Sequence, residues 1–222
     1  MEEEFEIIPK QYHDQIREML QERLGKKSVR VKLLLSDDPN HEDSVMLRKL
    51  FEELHKLYDK VEYDIIYESD PEAQELIKKL DIKIIPVLFF TERSFFEGLP
   101  LGHESAVVLE MLGILANKET SPYTPELLEK LKDGCSRDIR VYVTMACPYC
   151  PMASVMALSL PLFFEDYVSR VYVLDSKPEV GDEENVDAVP HIVVRSGNCK
   201  DTFIGLPPID MFVDRLASCK CR

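Results

Sequence analysis

Three landmarks occur twice in this chain, each time in the same order. "VRVKLLL" from Val29 matches "IRVYVTM" from Ile139, 110 residues later; "IIPVLFF" around Pro86 matches "AVPHIVV" around Pro190; and "GLP" begins at both Gly98 and Gly205. A duplicated chain of 222 residues folds most simply as two similar units, each near the lower end of ordinary domain size. The polar, proline-containing stretch "NKETSPYTP" (117–125) is the natural seam between them. The expected division is therefore residues 1–118 and residues 119–222.

Hydrophobic periodicity gives each half the order helix, strand, helix, strand, helix, strand, strand, helix. In the first half an amphipathic helix over 9–24 precedes a strand at 29–36. Leu47, Leu50, Phe51, Leu54 and Leu57 then recur at helical spacing. "VEYDIIY" (61–67) reads as a strand, "PEAQELIKKL" opens with Pro71 where a first helical turn tolerates proline, "IKIIPVLFF" is strand-like, and Val108, Met111, Leu112 and Leu115 mark a helix. The second half begins with a short helix (125–133) and a strand in which Ile139, Val141 and Val143 alternate with polar or aromatic residues. An apolar helical region to about Tyr167, a strand over 170–176 and an acidic helical segment follow. "VPHIVV" and "CKDTFIG" then form a hairpin around "SGN", and Ile209, Phe212, Val213 and Leu216 mark the last helix. Proline lacks the donor a central strand needs, so Pro86 and Pro190 at the heads of strands call for a reason. A cis peptide would supply one, and a trans proline at an ordinary strand start is the other reading.

The charge balance excludes some classes of function. With 41 acidic and 27 basic residues and a net charge of -14, the chain lacks the cationic surface that binds nucleic-acid phosphates, and an anionic membrane would repel it. "MEEEFEIIPK" has no basic region followed by an apolar core, and no apolar run approaches the ~20 residues that span a bilayer. The expectation is a soluble, cytoplasmic protein. Trp is absent and Asn and Gln total only 8, while Glu and Lys dominate the charges, which is a thermophile-like composition.

Six cysteines in such a chain point to redox chemistry or metal binding. The pair in "CPYC", Cys147 and Cys150, falls where a strand ends and a helix begins. There the unpaired amides and the positive end of the helix dipole favour a thiolate, the attacking species in disulfide exchange, so Cys147 is the expected nucleophile. Cys150, one turn along and deeper, can resolve the mixed disulfide. Pro148 fixes φ but offers no N–H, leaving the amides of Tyr149 and Cys150 to face the sulfur, and Tyr149 would shape what approaches it. A zinc half-site or a static disulfide is the alternative, but for zinc the next cysteine pair, Cys219 and Cys221, begins 69 residues beyond Cys150, and the five histidines show no ligand spacing. No metal is expected. "CKCR" at the end of the chain could relay electrons as a second dithiol; a structural disulfide or free thiols are the alternatives, and Cys135 and Cys199 complete the set. His191, next to Pro190, is either a tuning group for the thiolate or a plain strand residue.

With strand, "CPYC", helix and then "VP" at a later strand head, the second half resembles glutaredoxin and thioredoxin. Together with the repeat, nearly the whole chain resembles the tandem glutaredoxin-like protein disulfide oxidoreductases of hyperthermophiles. The resemblance implies an α/β fold of two thioredoxin-fold units, each a mixed four-stranded sheet flanked by helices. It implies Cys147 as attacking and Cys150 as resolving cysteine, Pro190 as a cis-proline, and Val189 as the residue whose backbone pairs with substrate. It further implies action on protein disulfides, whether reduction, oxidation or isomerisation, with electrons from a thioredoxin-reductase-like flavoprotein and no bound cofactor. Two departures stand out. "DDPN" (Asp37 to Asn40) occupies the equivalent of "CPYC" in the first half, so that site is expected to be chemically silent. "FIGLPPID" stands where glutaredoxins carry a Gly-Gly-Asp glutathione pattern, which puts glutathione in doubt. A peptide-binding chaperone with an incidental dithiol is the rival from another class.

Overall fold

The computed structural model describes residues 6–221. The first half supplies strands β1 (Val29–Leu35), β2 (Val61–Tyr67), β3 (Val87–Thr91) and β4 (Ser94–Glu97). The second supplies β5 (Arg137–Val143), β6 (Tyr167–Val173), β7 (His191–Ser196) and β8 (Cys199–Ile204). Each set repeats one order, with the second strand at the edge, parallel to the first, and a hairpin antiparallel to it on the other side. The two four-stranded sheets do not stand apart. β4 pairs in parallel with β6, Ser94 opposite Ser169 through Glu97 opposite Tyr172, and the result is one eight-stranded sheet in the order β2-β1-β3-β4-β6-β5-β7-β8. The join satisfies the backbone groups that an exposed β4 edge would leave open.

The helices are α1 (His13–Leu24), α2 (Glu42–Leu57), α3 (Pro71–Leu80), α4 (Ser105–Ala116), α5 (Pro125–Glu129), α6 (Cys150–Ser159) and α7 (Ile209–Ser218). One continuous apolar core contains Leu33, Phe51 and Met111 from the first half with Val141, Ala157 and Phe212 from the second. α4 packs directly on α6, so helix contacts reinforce the sheet join. On the opposite face, α3 covers a smaller cluster that includes Leu34, Ile66, Leu76 and Phe95. Among the described residues no helix is long and apolar enough to cross a membrane.

Several element boundaries differ from the periodicity reading. The apolar region after Cys150 stays α-helical only to Ser159 and ends in a 3-10 turn over Leu160–Leu162. Pro161 has no N–H with which to continue the α-helical hydrogen-bond ladder. β6 starts at Tyr167, inside the range read as helix, because it runs alongside β5 from the Arg137–Tyr167 pair onward. The acidic segment Pro178–Glu184 forms 3-10 turns and no α-helix. It is short, contains Gly181, ends on Asn185 in a left-handed conformation (φ 53°), and turns Glu184 inward to meet Arg195 and Lys200. α5 stops at Glu129, four residues early, ahead of a turn through Gly134 at φ 72°.

Candidate active site

β5 runs through Val143 into the loop that carries the dithiol, and α6 starts at Cys150 with Tyr149 as its N-cap. Cys147 and Cys150 are joined as a disulfide, with their Cα atoms 5.5 Å apart. Cys147 keeps 7% of its surface exposed and Cys150 none, so only the first sulfur can be reached from outside. Pro151 occupies the first turn of α6 and, like Pro148, has no N–H. Of the four backbone donors orphaned at a helix start, those of Tyr149, Cys150 and Met152 remain. The surface around the pair is apolar: Tyr149 is 66% exposed and Met152 53%, while Pro148 is exposed as well.

Both prolines at the strand heads are cis, after Ile85 and after Val189. β7 opposes β5 with His191 beside Tyr142, and continuing that register sets Pro190 next to Val143, at the mouth of the dithiol loop. The repeated "GLP" now has a physical reason. The amide of Gly98 donates to the Pro86 carbonyl and that of Gly205 to the Pro190 carbonyl, both at 2.8 Å, with φ of 96° and 82°. Those conformations favour glycine. Val189 is half-buried, and exposed Ile204 and Leu206 flank Gly205.

One buried group beside α6 escaped the sequence reading. Glu104, just ahead of α4 in the first half, is completely buried, and its Oε2 accepts a 2.8 Å hydrogen bond from Ser154 Oγ. Ser154 lies four residues after Cys150, on the same face of α6. The other carboxylate oxygen, Oε1, has no hydrogen-bond partner. Burial pushes the Glu104 carboxyl up to about 7, with the Ser154 hydroxyl pulling the other way. The only sequence signal was its place shortly after the "GLP" that begins at Gly98, which says nothing of the helix it meets.

His191 belongs to the opposite side of the sheet. It shares strand parity with Val193, which packs with Tyr142, Tyr172 and Ile84, while Ile192 and Val194 share the core of Cys147 and Cys150. Its ring meets Tyr142 edge-on at 6.0 Å, neither nitrogen has a hydrogen-bond partner, and burial lowers its pKa. It is a strand residue, on the wrong face to tune the dithiol.

The tail does not carry a second dithiol. Cys219 is bonded to Cys199 and Cys221 to Cys135, so "CKCR" is fastened at two points. Arg137, 1% exposed, completes the clamp by donating to the Leu216 carbonyl and to Asp133 at 2.7 Å. Among the described residues no group of three or more His, Cys, Asp or Glu is arranged to hold a metal ion. In the first half, Asp37 to Asn40 lead into α2 at the position corresponding to the dithiol, where the Asn40 amide donates to the Asp38 carboxylate and Ser69 donates to Asp37.

No protein-family model matches the chain, and comparison with curated proteins finds no match. Solved structures do match. A protein disulfide oxidoreductase from Aeropyrum pernix is 23% identical over 94% of this chain and 92% of its own, with a TM-score of 0.77. An alkylhydroperoxide reductase component, AhpF, from Enterococcus faecalis is 20% identical over 94% of this chain and 99% of its own, with a TM-score of 0.75. At these identities the likeness defines the fold: two thioredoxin-fold units in tandem.

Proposed function

We propose that the protein is a thiol-disulfide oxidoreductase acting on protein disulfides through Cys147 and Cys150, in a unit formed by residues 119–222, with residues 1–118 a companion unit lacking a dithiol. The observation that carries this reading is the unequal exposure of two bonded cysteines at a helix start beside a cis-proline. In the reducing direction the Cys147 thiolate attacks one sulfur of a substrate disulfide, forming a mixed disulfide and releasing the other sulfur as a thiolate, which takes a proton from water. Cys150 then loses its proton, attacks Cys147 and expels the second substrate thiolate, leaving the Cys147–Cys150 disulfide seen here. The proton of Cys150 needs an acceptor in a site closed to water, and Glu104 is the buried carboxylate on that face of α6. Val189 and Pro190 bind the substrate backbone, while Pro148 and Tyr149 shape its approach. A thioredoxin-reductase-like flavoprotein returns the two electrons.

The test is reduction of insulin by dithiothreitol, followed as turbidity. The protein accelerates it, and Cys147→Ser removes the acceleration while the far-ultraviolet circular dichroism stays unchanged. Acceleration that survives Cys147→Ser would leave a chaperone-like module as the better reading.

A further inference from the structure

A cavity of about 600 Å³ opens in the first half between α1, α2 and α4. Leu50 and Leu54 form its buried floor, and half-buried Ile16, Met19, Met46 and Leu109 form its walls. The size and the apolar lining are those of a ligand site. The two methionines give it walls that adapt to more than one shape. The segment that closes one side is fixed in place, since the amides of Ile7 and Ile8 donate to the Glu53 carboxylate at 2.9 and 2.7 Å.

One edge of the cavity abuts the loop that leads to the dithiol. Gly102 lines it, and a Cβ on Gly102 would come within 2.5 Å of the Met145 carbonyl oxygen. That same oxygen accepts the His103 amide at 3.0 Å. Met145 is two residues, at most about 7 Å of chain, from Cys147. We infer that this cavity is a second binding site for the disulfide-bearing polypeptide, one that takes apolar side chains four to six residues away from the cysteine under attack. Four to six extended residues cover roughly 14 to 20 Å, enough to pass from Cys147 over Gly102 into the cavity. The charge at the cavity favours an uncharged polypeptide side chain over a lipid acid: none of the lining residues is basic, and the nearby Lys10 is already paired with the lining Glu6 at 3.3 Å, so a carboxylate head group would compete with Glu6 for it. The inference rests on the proposed function, because the dithiol defines which segment is held nearby.

The test uses the full-length protein and synthetic peptides closed by a single disulfide, with Leu or Ser placed five residues to either side of one cysteine. A Leu peptide is turned over with a kcat/KM about tenfold above its Ser counterpart, the scale on which an apolar pocket discriminates. Leu109→Lys and Met46→Lys each remove that preference and leave turnover of the Ser peptide unchanged. Val45→Lys, at an exposed apolar residue of α2 outside the cavity, keeps the preference. Equal turnover of Leu and Ser peptides by the unaltered protein overturns the inference, as does a preference that survives both lysine variants. A concentration-dependent dimer in sedimentation that Leu109→Lys dissolves also overturns it, because the occupant is then a second copy. Should neither peptide be turned over, the proposed function fails. Fluorescence anisotropy of a labelled Leu peptide on Cys147→Ser protein still reads the cavity by itself, through binding that Leu109→Lys weakens tenfold or that it leaves intact.

Discussion

Asp37–Asn40 and Cys147–Cys150 occupy equivalent places in the two halves, 110 residues apart, yet differ in almost everything that chemistry needs. The surrounding frame is the same in both. A strand leads in, a helix leads out, and a cis-proline carbonyl on the neighbouring strand accepts the amide of a glycine in "GLP". Ser44 and Ser154 extend the parallel, since both are buried one turn into their helices. In the second half Ser154 donates to the buried carboxylate of Glu104. In the first, Ser44 Oγ accepts the Ser36 amide at 3.0 Å and His41 caps the Ser44 amide, so both of these bonds stay within the local chain. Proline, glycine and buried serine belong to the frame that both halves share, while the sulfurs and a buried carboxylate facing the serine mark the second place.

The largest effect that could break this contrast is on turnover. Cys147→Ser removes the protein-catalysed part of insulin reduction and leaves the dithiothreitol background, a loss of at least about a thousandfold in the catalysed rate, of the kind seen when a nucleophile is deleted. Asp37→Ala in the equivalent place leaves the rate within about twofold. An Asp37→Ala variant that loses activity as Cys147→Ser does would show that the first half takes part in the chemistry.

Next in size is Glu104→Gln, which removes the proton acceptor and lowers kcat/KM for a peptide disulfide by about a hundredfold, the lower range for a general base. The unaltered protein gains rate as pH rises through about 7, where Glu104 ionises, and the variant shows no such rise. Stability moves in the opposite sense. A carboxyl at about 7 in the folded chain and near 4.5 in the unfolded one contributes fully below about 4.5 and loses its contribution as pH rises through 7. The loss is on the order of 3 kcal/mol. Urea unfolding at pH 5 and pH 8 reads it directly, and Glu104→Gln flattens the difference. A residual slope of the same sign remains from Glu97, which burial also pushes up to about 7.

Smaller effects compare the two frames. Alanine at Gly98 or Gly205 meets an unfavourable positive φ, costing about 1 to 2 kcal/mol at each. Gly98 costs more, because its added Cβ lies 3.0 Å from Val173 and Ser176 of the second half, whereas nothing lies within 4 Å at Gly205. Chemical denaturation of Gly98→Ala and Gly205→Ala should therefore rank them in that order. The reverse order would mean that the β4 to β6 join yields more easily than its packing implies.

Local features of this molecule were legible and distant ones were not. The strands from Val29 and Val61, the helix through Phe51, and the placement of Cys147 and Cys150 all rest on periodicity and spacing within a few residues, and the repeat shows because the same short strings recur in order. The pairing of β4 with β6, the two tail disulfides and the approach of Glu104 to Ser154 join residues 50 or more positions apart, except for the 20 that separate Cys199 from Cys219. Nothing in local pattern fixes such contacts. Four leftover cysteines allow three pairings, and the chain alone does not choose among them. The acidic run at 179–185 misled for a related reason: its composition reads as a helical segment, yet Glu184 is turned inward by Arg195 and Lys200 from strands that come later in the chain.

The finest comparison is between the two serines. Ser154→Ala removes the one hydrogen bond that holds the Glu104 carboxylate in its ionised form, so the Glu104 pKa rises and the pH at which turnover gains rate moves upward. The folded chain loses only about 1 kcal/mol. Ser44→Ala costs a similar amount, because it leaves the Ser36 amide without its acceptor, but no titrating group lies at the other end of that bond. Its pH profile therefore stays where it was. Matching losses of stability with a shift in only one profile would tie the ionisation to Glu104 and the second half. An equal shift in both would mean that the rise near pH 7 belongs to a group the two halves share.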